Sequence, residues 1–197
     1  MRNIALAVLA LLIAGTASSQ GRFGARAGVV LNYINVDGGS TAPDYSDLKA
    51  GHTFSFSYEL PASKNFVIQP ELGFVRLSSN ESITNSTVNL DYITLPVILK
   101  FVTNSQNFSV YAGPQLSFLT NANNRTSAGK VDIRENLTET DFSAAAGIEY
   151  ITPVNVTINL RYVQGMSNVF KVEYDDFTSR HQYVSVTVGY LFGRKKK

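Results

Sequence analysis

The stretch LDYITLPVILKFVTNSQNFSVYAGPQLSFL, Leu90–Leu119, decides the fold. Ile93, Leu95, Val97, Leu99 and Phe101 share one parity, while Thr94, Ile98 and Lys100 hold the other. After the polar turn, Phe108, Val110, Ala112, Leu116 and Phe118 alternate with Ser109, Tyr111, Gly113, Gln115 and Ser117. Successive side chains of a strand point to opposite faces, so this alternation gives one apolar and one polar face. Each run is about ten residues, the length of a tilted strand that crosses a bilayer. Phe101 and Phe108 flank the turn, where interfacial aromatics belong.

The same unit recurs along the chain. Strand one covers about 22–34, with Phe23, Ala25, Ala27, Val29, Leu31 and Tyr33 opposite Gly24, Arg26, Gly28, Val30 and Asn32. Strands two and three cover about 52–60 and 66–77, joined by the short turn 61–65. Strands six and seven, about 141–151 and 156–162, meet at Thr152-Pro153, and strand eight closes on Val184, Val186, Val188, Tyr190 and Phe192. Between these pairs lie long polar connections at about 37–51, 78–89, 120–140 and 167–181. Long and short connections in alternation predict an all-β, eight-stranded antiparallel up-and-down transmembrane β-barrel with short periplasmic turns and long outer loops. An even strand count puts both termini at the periplasmic end.

Composition agrees with a membrane location. Charged residues are 16% of the 197-residue chain, against about 25% in soluble domains. No stretch after residue 20 reaches the ~18 apolar residues of a spanning helix, so strands must do the crossing. Residues 1–20 read as a signal peptide, with Arg2 ahead of an apolar core, Ile4–Ala14, and small residues at Ala17-Ser18-Ser19. The barrel domain is then 21–193 and the basic tail 194–197. Removing Arg2 with the leader and Arg194–Lys197 with the tail takes the formal charge from +2 to −3. That balance gives no footprint for nucleic acid. With no cysteine, disulfides and thiolate metal sites are excluded.

The polar parity carries three bases and three acids: Arg26, Lys100, Arg161, Glu59, Glu71 and Glu149. A barrel of eight strands is just wide enough to be filled by its own side chains, and buried charges cost about 3–5 kcal/mol each unless paired. The expectation is a salt-bridged lumen without an open channel, with inward glycines (Gly24, Gly28, Gly73, Gly113, Gly147, Gly189) making room for the long charged chains. Phe23, Tyr58, Phe66, Phe101, Phe108, Tyr150, Tyr190 and Phe192 would form an aromatic belt at the short-turn end. Pro70, Pro96 and Pro114 fall inside these strands, where proline removes a ladder donor, so bulges are expected there.

QPELGFVRL (Gln69–Leu77), LPVILKF (Leu95–Phe101), YAGPQLSFL (Tyr111–Leu119) and the closing VGYLF (Val188–Phe192) resemble the PorT-like small outer-membrane β-barrels of Gram-negative bacteria, also called porin-family or outer membrane protein beta-barrel domain proteins. The resemblance spans about 21–193. It implies the fold and an outer-membrane location, and it places the three prolines at positions that family tolerates. Most members have no assigned activity, and one branch is associated with secretion across the outer membrane. Such barrels usually stop at the terminal aromatic, whereas Phe192 here is followed by GRKKK.

Chemistry beyond the wall is sparse. His52 and His181 sit at the loop-side ends of strands, with Asp175, Asp176 and Ser179 near the latter. No nucleophile motif accompanies them, and nothing has metal-ligand spacing, so neither catalysis, a cofactor nor a metal is expected. Glu173, Asp175 and Asp176, with Asp44 and Asp47, read as solvated acidic loops. The reading is a non-enzymatic, monomeric outer-membrane barrel with lipid around it, whose outer loops either contact a protein partner or simply shield the surface. The alternatives are a narrow pore or outer-membrane transport or secretion component, and a soluble lipocalin-like carrier with its faces inverted.

Overall fold

The computed structural model describes residues 21–37, 49–81, 86–103, 107–126, 129–167 and 178–193. The strands are β1 (Arg22–Asp37), β2 (Lys49–Pro61), β3 (Phe66–Glu81), β4 (Ser86–Val102), β5 (Phe108–Thr126), β6 (Gly129–Asp132), β7 (Thr140–Ile151), β8 (Val156–Gly165) and β9 (Thr178–Phe192). Every pairing is antiparallel, and β4 pairs β5 while β1 pairs β9, so β1–β5 and β7–β9 close into a barrel of eight strands. The short β6 hangs from the outer end of β5.

The wall is inside out relative to a soluble protein. Phe23, Phe56, Val97, Leu99, Ile158 and Val188 are all about half exposed on the outside. Their strand neighbours of opposite parity, such as Gln69, Glu149 and Asn159, are buried in the lumen. That distribution removes the soluble, face-inverted carrier. A lipid-facing wall accepts apolar side chains, and closure pairs every strand edge along the barrel, as a bilayer requires.

Three details depart from the sequence reading. The strands run further outward than their apolar alternation does. Residues 78–81, 86–89, 120–126 and 178–181, read as loop, are strand, and the segment 120–140 folds into the β5–β6 hairpin and a 3-10 turn at Arg134–Asn136. These parts are rich in Asn, Ser and Thr. Hydrogen-bonded ladders persist there although hydrophobic periodicity has faded.

The bulges expected at the prolines are absent. Pro70 pairs Val97 and Gly73 pairs Thr94 with the same offset, and Pro96–Gln115 and Leu99–Ala112 likewise keep one register. Proline's φ lies within the β region, so each proline costs a few rungs of the ladder without shifting it. The register shift lies instead at Asp91/Tyr92, opposite Thr120, whose hydroxyl donates to the Asp91 carbonyl at 2.9 Å.

Tyr58 is the third departure. It lies beside Phe23 with ring centroids 4.6 Å apart, yet it is only 3% exposed. A Cβ on Gly21 would collide with its ring, so the chain start covers it. The other aromatics of that end are well exposed on the outer wall: Phe23, Phe66, Phe101, Phe108, Tyr150, Tyr190 and Phe192. Phe66 packs edge-on to Phe101 at 5.4 Å, and Tyr190 to Phe192 at 5.0 Å.

Candidate functional site: the filled lumen

The lumen has two storeys. Near the short turns it is charged. Arg22 at the start of β1 donates from Nε to Glu59 of β2 at 2.9 Å. Lys100 of β4, two strands from β2, donates to Glu59 at 3.0 Å and also reaches Glu149 of β7. Arg26 of β1 lies 3.6 Å from Glu149 and 3.3 Å from Glu71 of β3. Arg161 of β8 clasps Glu71 with two hydrogen bonds of 2.8 Å. The groups form one chain of alternating sign across the barrel: Arg22, Glu59, Lys100, Glu149, Arg26, Glu71, Arg161. Lys100 and Glu149 are each 1% exposed.

All six charges singled out in the sequence therefore meet in one network. Arg22, the first residue of strand one, joins them although the sequence reading did not count it among the lumen charges. Its parity, shared with Arg26, was the available signal.

Neutral groups complete the chain. Gln69 donates to Glu71 at 2.5 Å. Arg161 Nε donates to the Tyr111 hydroxyl at 3.2 Å, and that hydroxyl donates to Asn159 Oδ1 at 2.9 Å. The Arg161 guanidinium carbon sits 5.3 Å from the Tyr111 ring centroid, within cation–π range. Gly147 makes this possible: a Cβ there would fall 2.5 Å from the Tyr111 hydroxyl and 2.3 Å from the Leu160 carbonyl.

The outer storey is apolar. Val30, Val75, Leu77, Leu90, Tyr92, Leu119, Ala122 and Val163 pack inside the barrel. Leu137, from the connection between β6 and β7, is 2% exposed and belongs to the same cluster. Among the described residues two small cavities occur in the lumen. A cavity of about 20 Å³ lies among Arg26, Glu71, Asn159, Arg161 and Thr187, and one of about 10 Å³ beside Tyr92, Asp141 and His181.

The two histidines separate. His181 is buried in the outer storey, with its Nε2 3.1 Å from the Tyr92 hydroxyl. His52 sits on the exterior with its ring centroid 6.1 Å from that of Phe74. Asp44, Asp47, Glu173, Asp175 and Asp176 lie outside the described residues, as do 1–20 and 194–197. Among the described residues no cluster of metal-ligating side chains occurs.

A lipid-facing wall, a closed barrel and a filled lumen together define the class. The family model described as "Outer membrane protein beta-barrel domain" matches residues 4–192. The chain belongs to that family. Its place is the outer membrane. No curated protein sequence matches this member of the family. Solved structures share its fold. Neisserial surface protein A (NspA) has a TM-score of 0.58 at 16% identity, over 86% of this chain and 97% of that one. Ail, the attachment invasion locus protein of Yersinia pestis, has a TM-score of 0.54 at 16% identity, over 87% and 99%. Ail bound to the heparin analogue sucrose octasulfate gives 0.52 at 17% identity, over 87% and 99%.

Proposed function

We propose that this outer-membrane barrel is non-enzymatic and non-conducting, and that it acts as a monomer through its outer segments. The observation that carries the reading is the lumen, where a seven-membered chain of paired charges underlies an apolar seal anchored by Leu137. An ion entering the charged storey would have to break pairs that have no water to replace them, which costs several kcal/mol, about 3–5 per pair. The aromatics at the short-turn end set the barrel's depth at the periplasmic interface. Work at the outer surface then falls to the extensions of β3, β4 and β5 and to β6. The complex of Ail with a heparin analogue supports looking for extracellular ligands on such a fold. The proline-bearing motifs Gln69–Leu77 and Leu95–Phe101 support a finer place among PorT-like barrels.

The test is single-channel recording of the mature protein folded into planar bilayers, with heat-modifiable gel migration as the folding control. A folded barrel is expected to stay silent. Discrete conductance altered by Arg26→Ala or Glu71→Ala would replace this reading with that of a narrow transport pore.

A further inference from the structure

Among the residues lining the cavity of the charged storey the unpartnered groups are donors, Arg26 Nη1, Asn159 Nδ2 and the Thr187 hydroxyl, while the storey's unpartnered acceptors, Gln69 Oε1 and Glu149 Oε2, belong to residues that do not line it. This cavity of about 20 Å³ is lined by two guanidiniums, Arg26 and Arg161, against one carboxylate, Glu71. That carboxylate already accepts two hydrogen bonds from Arg161 and one from Gln69.

The neutral lining is also donor-rich. Arg161 donates to Tyr111 and Tyr111 must donate onward to Asn159 Oδ1, so the amide orientation of Asn159 is fixed. Its Nδ2 is then left as a donor without a partner, and Thr187 Oγ1 also has none. Asn159 is 1% exposed and Thr187 4%. The two are directly paired on β8 and β9, which puts their Cβ atoms about 5 Å apart on one inward face. Thr187 also pairs across to Gly28 of β1, where a Cβ would fall 2.9 Å from Thr187 Cγ2, so the glycine gives the Thr187 side chain its room. Tyr183 accepts from Gln115 at 3.0 Å, so its own proton is free to turn into the same cavity, which it lines. Arg26 Nη1 has no hydrogen-bond partner and only the long 3.6 Å approach to Glu149.

A buried donor left unpaired loses the hydrogen bond it had in water, and a charged one loses more. A water satisfies two donors at most while bringing two donors of its own. An anion accepts from all of them and supplies the negative charge that would follow Arg161 in the alternating chain. The volume is that of roughly one water-sized sphere, which excludes tetrahedral oxyanions. Asp141, the inward carboxylate of the other chamber, already accepts from Ser143 at 2.7 Å and does not line this cavity. We propose that the lumen binds one small monovalent anion of chloride size, held by Asn159, Thr187 and the Arg26–Arg161 pair. This goes beyond the closed-barrel reading and does not depend on whether the barrel conducts.

The anion is supplied while the barrel forms, so that uptake does not depend on access to the finished lumen. The protein is folded from urea into detergent micelles in sodium bromide, crystallised, and measured at the bromine absorption edge. One anomalous peak is expected in the lumen within contact of Asn159 and Thr187. A lumen without such a peak, or filled there by water alone, overturns the proposal. Asn159→Asp places a fixed negative charge at the same point and should exclude bromide while the heat-modifiable band shift is kept. Thr187→Val, of nearly the same shape, should lower the occupancy. In solution, the urea midpoint of the unaltered barrel should be higher in chloride than in methanesulfonate at equal ionic strength, and Asn159→Asp should abolish that difference. Equal midpoints for the unaltered barrel in the two salts would also overturn it.

Discussion

The two storeys of the lumen are sealed by opposite means. Around Glu71 and Lys100, every charge touches one of opposite sign, and the seal is a property of the whole set. Around Leu77, Leu90 and Leu137, the seal is close packing, in which each side chain contributes its own share. Paired charges gain from their partners what they lose by leaving water, so removing one member exposes the full cost on the others. Apolar packing loses only the transfer and cavity terms of the residue removed. The charged storey should therefore be brittle and the apolar storey graded.

The severest test of that contrast is Glu71→Leu. It leaves Arg26 and Arg161 facing each other across the 20 Å³ cavity, with Arg26 retaining only its 3.6 Å approach to Glu149. The expected loss is about 3–5 kcal/mol in unfolding free energy, measured by urea titration in detergent or bilayers. Glu71→Gln, which keeps the shape and removes the charge, should lose nearly as much. If both variants unfold within 1 kcal/mol or so of the original (about one experimental error on an extrapolated value), the chain is not a cooperative unit.

Leu137→Ala probes the other storey. The side chain is almost fully buried, but the connection that carries it is held by few backbone bonds, among them Ile133 N–H to Ala122 at 3.2 Å and Leu119 N–H to Glu139 at 2.8 Å. The segment can settle inward, so the cost should fall in the lower part of the usual Leu→Ala range, about 2–3 kcal/mol. The same urea titration reads it. A loss equal to that of Glu71→Leu would erase the distinction between the storeys.

The comparison also explains what was legible beforehand. Within the membrane the two faces of each strand meet different media, so parity put Arg26, Glu59, Glu71, Lys100, Glu149 and Arg161 on one face, the balance of charges, the glycines and the aromatic ring turned that face inward, and the structure brings these six into contact. Parity could not say which acid meets which base, since that depends on the barrel's stagger. Beyond the lipid both faces of a strand are wet or packed on neighbouring segments. Leu77 and Leu90 point inward there while Arg76 and Asp91, of the opposite parity, pair at 2.5 Å with Asp91 itself buried, so the code changes and the stretch reads as loop. Leu137 was invisible for a related reason: one apolar residue among Arg134, Glu135 and Glu139 has no period.

The smallest expected effect marks the edge of the contrast. Arg134 and Glu139 form an ion pair of 3.8 Å just outside the apolar seal, with side chains 46% and 63% exposed. Both ends keep their water, and holding two long side chains in one geometry offsets most of the attraction, so such pairs contribute about 0–1 kcal/mol. Arg134→Ala should therefore shift the unfolding free energy by less than about 0.5 kcal/mol, and raising the salt should remove even that. A larger loss would mean that Arg134 steadies the turn that seats Leu137. A double-mutant cycle between Arg134→Ala and Leu137→Ala separates the cases: additivity leaves the pair a solvated ornament of the rim, and strong coupling makes it part of the outer seal.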